Sequence, residues 1–212
     1  MVMNNRPKPP LQANGSMDYD DLATTIKYLL DASWGPEWGN FSPDGPNVTD
    51  PTNVDYPVIV HYMSEMMPGK IGTSTRELKP RHRYFATNDE AGGGQPQAVR
   101  IYGQVFDAEV VFEIWEETNA SAARLAKQFR QTLAAFTGYL KEKGLKEIQF
   151  LRMETDLSNS RIKDNYKIRR LVYFVRFEEL TEVPTELFQI IEVVENRLQK
   201  DAEGQLQKQI GE

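Results

Sequence analysis

The chain has 212 residues, of which 40% are apolar and 26% are charged, a composition typical of one globular domain with appendages. Its 25 basic and 31 acidic side chains give a net charge of −6, the wrong sign for a protein that coats nucleic acid. It has no cysteine and two histidines, which excludes disulfides, thiolate zinc sites and histidine-rich metal sites. No run approaches the roughly 18 apolar residues that span a bilayer. We therefore expect a soluble protein, made in the cytoplasm, with no membrane partner.

The N-terminal region predicts a flexible tail followed by a helix. Residues 1–16 lack hydrophobic periodicity, as flexible tails do. A helix is predicted from Asp18, because acidic residues at its start suit the helix dipole and one face is apolar. That face contains Leu22, Ile26, Leu29 and Leu30. Residues 34–57 hold three glycines and five prolines, so we expect a loop there. Its aromatic residues, Trp34, Trp38 and Phe41, predict that the loop is packed down.

A strand over 56–63 precedes a long polar segment, residues 64–98, which we call the arm. At about 35 residues the arm is too long for an ordinary connection, so it is either functional or poorly ordered. Residues 70–83 hold five cations and one acid, Glu77. We consider three interpretations: a solvated loop, an arm that docks on the acidic surface of another copy, or a groove for single-stranded nucleic acid. The candidate contact residues are Lys70, Arg76, Lys79, Arg81, His82, Arg83, Tyr84 and Phe85.

The second half of the chain predicts three strands and two helices. Apolar and polar residues alternate over 99–117, and a helix capped by Asn119 is predicted over 119–143. Further strands are predicted over 147–154 and 168–180. A C-terminal helix is predicted over 185–200, capped by Thr185. The predicted fold is α+β: a mainly antiparallel four-strand sheet of β-β-α-β-β order, covered by a long helix. N-terminal and C-terminal helices and the long arm complete it.

Chemical motifs are weak throughout the sequence. The glycine run 92–94 has no following Lys-Ser/Thr, so it does not predict a phosphate loop. His61 lies in an apolar strand and is interpreted as a packed structural histidine. The acidic residues at the first helix lack the glycine of a calcium loop, and those at Glu113, Glu116 and Glu117 are expected to face solvent or an interface. We expect no catalytic residues, no metal, no cofactor and no enzymatic activity.

The segment FEIWEETNASAARLAKQFRQTLAAFTGYLKEKGLKEIQFLRMETD, followed by RRLVYFVRFEE, resembles the tail terminator (neck or tail-completion) proteins of tailed bacteriophages. The likeness covers about residues 18–180. In that family a short helix precedes a strand, an extended arm, a second long strand, a long helix and two closing strands. The chain would then divide into a flexible tail at 1–16, a tail-terminator-like domain at 17–183, and a C-terminal helix and tail at 184–212.

The resemblance implies a structural virion protein, located in the tail or neck. Six subunits are expected to form a homohexameric ring that caps the tail tube and joins it to the head connector. The implied partners are other copies of the chain, tail tube and sheath proteins, and the head-completion protein, with DNA as passing cargo. The alternative from the residues alone is a nucleic-acid-binding module that uses the basic segment 76–85.

Overall fold

The computed structural model describes residues 15–45, 57–72, 75–88, 97–155 and 167–184. The predicted C-terminal helix and most of the predicted N-terminal tail lie outside these ranges. The described helices are α1 (Tyr19–Trp34), α2 (Asn119–Ala135) and α3 (Thr137–Glu142). The described strands are β1 (Asn40–Ser42), β2 (Val58–Pro68), β3 (Lys70–Ile71), β4 (Thr75–Arg76), β5 (Arg81–Asn88), β6 (Gln97–Glu116), β7 (Glu147–Thr155) and β8 (Lys167–Pro184).

The fold class is α+β, as predicted, but the main sheet differs from the predicted one. Within the described chain it has six strands rather than the predicted four, and it is mixed, because β1 pairs parallel with β2. Its order is β1-β2-β6-β8-β7, and β5 pairs with β6. The three-residue β1 lies parallel to β2, in a proline- and glycine-rich segment whose composition gives no strand signal. Strands β3 and β4 form a separate small hairpin.

The chain divides into two compact units. The larger unit contains Gly15–Lys79 and Gln104–Glu179, and the smaller unit includes Pro80–Gly103 and the chain from Leu180 onward. Strand β6 therefore contributes residues 97–103 to the smaller unit and the rest of its length to the larger one. The boundaries after residues 79, 103 and 179 all fall inside the predicted domain 17–183.

One hydrophobic core holds the larger unit together. Apolar side chains from α1 and α2 pack with alternate residues of β2, β6 and β8, as hydrophobic periodicity predicts. Phe112 and Phe129, both fully buried, have ring centroids 4.9 Å apart. Trp34 and Trp38 pack against the same core, and Phe41 is part of it, so the prediction of a packed-down loop is confirmed.

The acidic start of α1 has a capping role. Asp18 is the N-cap residue, and its carboxylate accepts a hydrogen bond from the Asp21 backbone N–H at 2.8 Å. The Asp21 side chain in turn accepts from the Asp18 backbone N–H, which completes a capping box. The interpretation of these acids as helix-start residues is confirmed. All four residues of the predicted apolar stripe of α1 are buried.

The predicted continuous helix over 119–143 is wrong in two details. Thr118, not Asn119, is the N-cap, and its hydroxyl accepts from the Ser121 backbone N–H. The helix also breaks at Phe136, which has φ −98° and ψ 11° and separates α2 from α3. The Thr137 hydroxyl donates to the Leu133 carbonyl at 2.9 Å, and such side-chain bonds compete with regular helical geometry.

Much of the arm is extended rather than a loop. Strand β2 continues five residues beyond its predicted end, to Pro68, and β5 occupies residues 81–88 as a strand paired with the first part of β6. The sequence did not indicate β5 because Arg81, His82 and Arg83 are consecutive and are followed by Tyr84 and Phe85, so polar and apolar residues do not alternate there. The predicted strands over 147–154 and 168–180 are present as β7 and β8.

Candidate interaction surfaces of the arm and the sheet

The base of the arm is anchored to β6 by Glu77, a side chain with no exposed surface. Its carboxylate accepts a hydrogen bond from the Val105 backbone N–H at 2.8 Å. Its own backbone N–H donates to the Gly69 carbonyl at 2.9 Å, and its carbonyl accepts from the Gln104 side chain at 2.9 Å. A buried carboxylate is costly unless it is hydrogen-bonded. Glu77 therefore anchors the base of the arm to β6. The sequence showed Glu77 only as the single acidic residue of a basic segment and did not indicate this role.

Gly69 allows the close approach that this anchor needs. Its backbone N–H donates to the Val105 carbonyl at 2.7 Å. A Cβ atom at this position would lie 2.5 Å from the Val105 Cγ1 atom and 3.1 Å from the Val105 carbonyl carbon. Any larger residue would push the β3–β4 hairpin away from β6.

In the smaller unit, β5 and residues 97–103 of β6 form an antiparallel hairpin, which we call the basic hairpin. Its register shifts between His82 and Tyr84, so Arg83 is the extra residue of a β-bulge. The bulge lies against Gly103, where a Cβ atom would meet the Arg83 Nε atom at 2.7 Å. The extra residue therefore belongs to β5, whereas Gly103 belongs to β6.

One face of the basic hairpin gathers aromatic rings and a guanidinium group. The His82 ring lies 4.5 Å from the Phe85 ring and 5.7 Å from the Tyr102 ring. The Arg100 guanidinium lies 5.6 Å from the centre of the Phe85 ring, a cation–π geometry. The opposite face contributes Val99 and Ile101 to a small core. The two strands carry three arginines and no acidic residue.

The structure separates the eight predicted contact residues into two groups. Lys70, Arg76 and Lys79 belong to the larger unit, whereas residues 81–85 belong to the basic hairpin. The Arg76 guanidinium donates to the Pro68 carbonyl at 2.7 Å, so it supports the base of the arm. Tyr84 and Phe85 are 48% and 67% exposed. Sequence analysis missed Arg100 and Tyr102, which only strand pairing brings beside His82 and Phe85.

An ion-pair ladder crosses the outer face of the sheet in the larger unit, on the side opposite α1 and α2. Arg176 donates two hydrogen bonds to Asp107, at 2.6 and 3.0 Å. Arg170 bridges Glu113, at 2.8 Å, and Glu154, at 3.3 Å. Arg152 bridges Glu154, at 2.9 Å, and Glu109, at 3.3 Å. The ladder thus ties β6, β7 and β8 together with side chains as well as with backbone bonds.

The ladder favours ionised carboxylates. Partial burial alone would raise the pKa of Asp107, but hydrogen bonds from Arg176 and from the Lys70 backbone N–H hold that pKa below its usual value. A hydrogen bond from Arg152 is the main reason that the pKa of Glu154 is also lowered. Glu113 is paired with Arg170, so it does not act with Glu116 and Glu117 as a free carboxylate cluster.

A cleft of about 400 Å³ opens on the same face. Its apolar lining comes from Met67, Ala108, Leu151 and Phe174. Its charged lining comes from Glu65, Lys70, Arg76, Asp107, Glu109 and Arg176. Three acidic and three basic side chains therefore surround four apolar ones, so the charged part of the lining is balanced.

His61 is a packed and hydrogen-bonded residue, as the sequence interpretation expected. It is 6% exposed, and its ring stacks on Phe41 with centroids 4.3 Å apart. The Tyr19 hydroxyl lies 2.6 Å from the His61 Nδ1 atom. Burial lowers the pKa of His61 and raises the pKa of Tyr19 to about 12, so the bond joins a neutral imidazole and a neutral phenol, and the imidazole tautomer sets which of them donates.

The described residues contain neither a metal-binding cluster nor a membrane-spanning helix. Within those ranges there is no group of three or more histidine, aspartate or glutamate side chains that could hold a metal ion. No helix in the described part of the chain has the length and apolar character required to cross a membrane. The glycine run 92–94 lies outside the described residues.

The chain matches no protein-family model, and no curated protein is significantly similar to it in sequence.

Proposed function

We propose that this chain is a structural virion protein of a tailed bacteriophage, a tail terminator that forms a ring on the tail tube and joins it to the head connector. The proposal starts from the resemblance of residues 18–180 to that family. In this reading β2, β6, β7 and β8, with α2, correspond to the family's β-β-α-β-β core. The proposal assigns α1 to the family's N-terminal helix and the segment between β2 and β6 to its arm. In this proposal the protein has no enzymatic activity and is located in the tail or neck of the virion.

The observation that carries the proposal best is the basic hairpin. Tyr84 and Phe85 are 48% and 67% exposed, and the two strands of the hairpin carry three arginines. Exposed aromatic residues on a charged surface are typical of interfaces. A ring subunit needs such a surface for contact with its neighbours.

Substitution of the exposed aromatics tests the assembly role. Tyr84→Asp combined with Phe85→Asp is expected to abolish ring formation and tube capping while leaving the fold intact, because both side chains are solvent-exposed. The matched control is Tyr28→Asp, a 64% exposed aromatic on α1. Light scattering and electron microscopy measure assembly, and circular dichroism checks folding. Normal rings from the double variant would remove the basic hairpin from the proposal.

A nucleic-acid-binding module is the second candidate, because the arrangement of His82, Phe85, Tyr102 and Arg100 resembles the stacking surfaces that bind single strands. A gel shift with single- and double-stranded DNA distinguishes the two. If the module exists, binding weakens as salt rises and is lost when Arg76, Lys79, Arg81 and Arg83 are changed to alanine. The tail-terminator proposal predicts no binding at low salt.

A further inference from the structure

The face of the basic hairpin opposite its aromatic rings is buried more deeply than its apolar neighbours explain. Val99 and Ile101 are each 2% exposed, and Leu180 of β8 packs with them at 8%. Within the described residues, Ala86 is the one further apolar side chain that packs against this cluster. A hairpin of two strands is marginally stable in water unless a third strand or a helix packs against it. The burial of Val99 and Ile101 therefore requires a cover on this face.

The chain that follows β8 begins beside the cluster. Leu180 is four residues before Pro184, the end of β8, and four strand residues span about 13 Å. A further 28 residues, 185–212, follow Pro184. The smaller unit contains the chain from Leu180 onward as well as the basic hairpin. A segment long enough to cover the hairpin therefore starts within reach of it.

The sequence of this segment suits an apolar face. The helix predicted over 185–200 has one apolar stripe. The stripe consists of Leu187, Phe188, Ile190, Ile191, Val194 and Leu198. A helix of this length extends about 24 Å, and the eight residues of β5 extend about 26 Å. Residues 1–14 have no such spacing and contain three prolines, so they are a poorer match.

We infer that residues 185–200 pack as an amphipathic helix on the face of the basic hairpin formed by Val99, Ile101 and Leu180 of the same chain. The apolar stripe of the helix covers this cluster and holds the hairpin in place. The hairpin also carries the exposed Phe85, so the C-terminal segment supports that surface from behind. This inference goes beyond the proposed function and does not depend on it, because it uses only contacts within one chain.

Two double variants of the full chain test this contact. Ile191→Asp with Leu198→Asp places two charges on the apolar stripe, because residues seven apart share one helix face. Gln189→Asp with Asn196→Asp places the same two charges on the opposite face of the predicted helix and is the matched control. Amide hydrogen exchange compares both variants with the wild type.

The expected change is confined to the smaller unit. Residues 97–103 should exchange about tenfold faster in the first variant, because its charges cannot be buried against Val99 and Ile101. The control should keep wild-type exchange in these residues, and residues 105–116 of the larger unit should be unchanged in both variants. Unchanged protection of 97–103 in the first variant would overturn the inference.

Thiol labelling identifies the covering segment, because the chain has no cysteine of its own. The thiol of Ile101→Cys should be protected in the full chain and labelled rapidly when Ile191→Asp and Leu198→Asp are added. Deletion of residues 1–14 should leave it protected. Labelling after that deletion alone, or protection that is lost on dilution, would assign the cover to the N-terminal residues or to a second copy and overturn the inference. Val110→Cys, in the core of the larger unit, should stay protected throughout, which checks for global unfolding.

Discussion

Phe129 offers the sharpest test of the packing of α2 on the sheet. It is fully buried, and its ring lies 4.9 Å from that of Phe112, in the centre of the core. Phe129→Ala removes this contact and leaves a cavity, so the free energy of unfolding should fall by about 3–5 kcal/mol. Phe136, at the break between α2 and α3, is only partly buried. Phe136→Ala should therefore cost less, about 1–2 kcal/mol.

Urea unfolding followed by circular dichroism measures both variants, with Tyr28→Ala on the exposed face of α1 as the control. The expected order of destabilisation is Phe129→Ala first, Phe136→Ala second and Tyr28→Ala last. The denaturant dependence should be similar for all three, so that midpoints can be compared. Equal stability of Phe129→Ala and the wild type, or a larger loss for Phe136→Ala, would show that another face of α2 packs on the sheet.

Three further predictions concern His61 and the base of the arm. Burial holds the pKa of folded His61 below the unfolded value of about 6.5, so the stability it contributes is present above that pH and is lost as pH falls toward the folded pKa. Thermal unfolding from pH 7.5 to 5 should show this loss in the wild type and in His82→Gln, but a smaller one in His61→Phe. Glu77→Ala leaves the Val105 N–H unpaired and should lower the free energy of unfolding by about 1–3 kcal/mol, with faster amide exchange over 69–72 and 75–77; unchanged exchange would contradict the anchor. Gly69→Ala should loosen the same residues, whereas retained exchange protection would show that the backbone can shift there.

The regular parts of the fold could be predicted because hydrophobic periodicity marks them. Residues Leu171, Tyr173, Val175 and Phe177 alternate in sequence, and all four are buried on one face of β8. The start of α1 was found from Asp18 and the acids that follow it, since capping is a local property of the sequence. The sequence did not predict the break at Phe136, because the helical spacing of apolar residues continues through this position. The helical backbone geometry is interrupted there.

The candidate surfaces depended on contacts that are distant in sequence. Arg100 and Tyr102 join Phe85 and His82 only through the β5–β6 register, and no local pattern contains that register. Glu77 looked like an isolated acid in a basic run, because its partner is a backbone N–H on another strand. Val172 alternates with the four core-facing residues of β8, yet it is also fully buried, so the second face of β8 is covered at this position.

The central claim, assembly into a ring, is tested most directly by light scattering and electron microscopy of the purified full chain, alone and mixed with tail tubes. The account predicts closed rings of six 24.3 kDa subunits, about 146 kDa, that bind one end of each tube. It also predicts that Tyr84→Asp with Phe85→Asp abolishes both the ring and the tube binding. A monomer that stays monomeric at high concentration and leaves the tube ends bare would contradict the account.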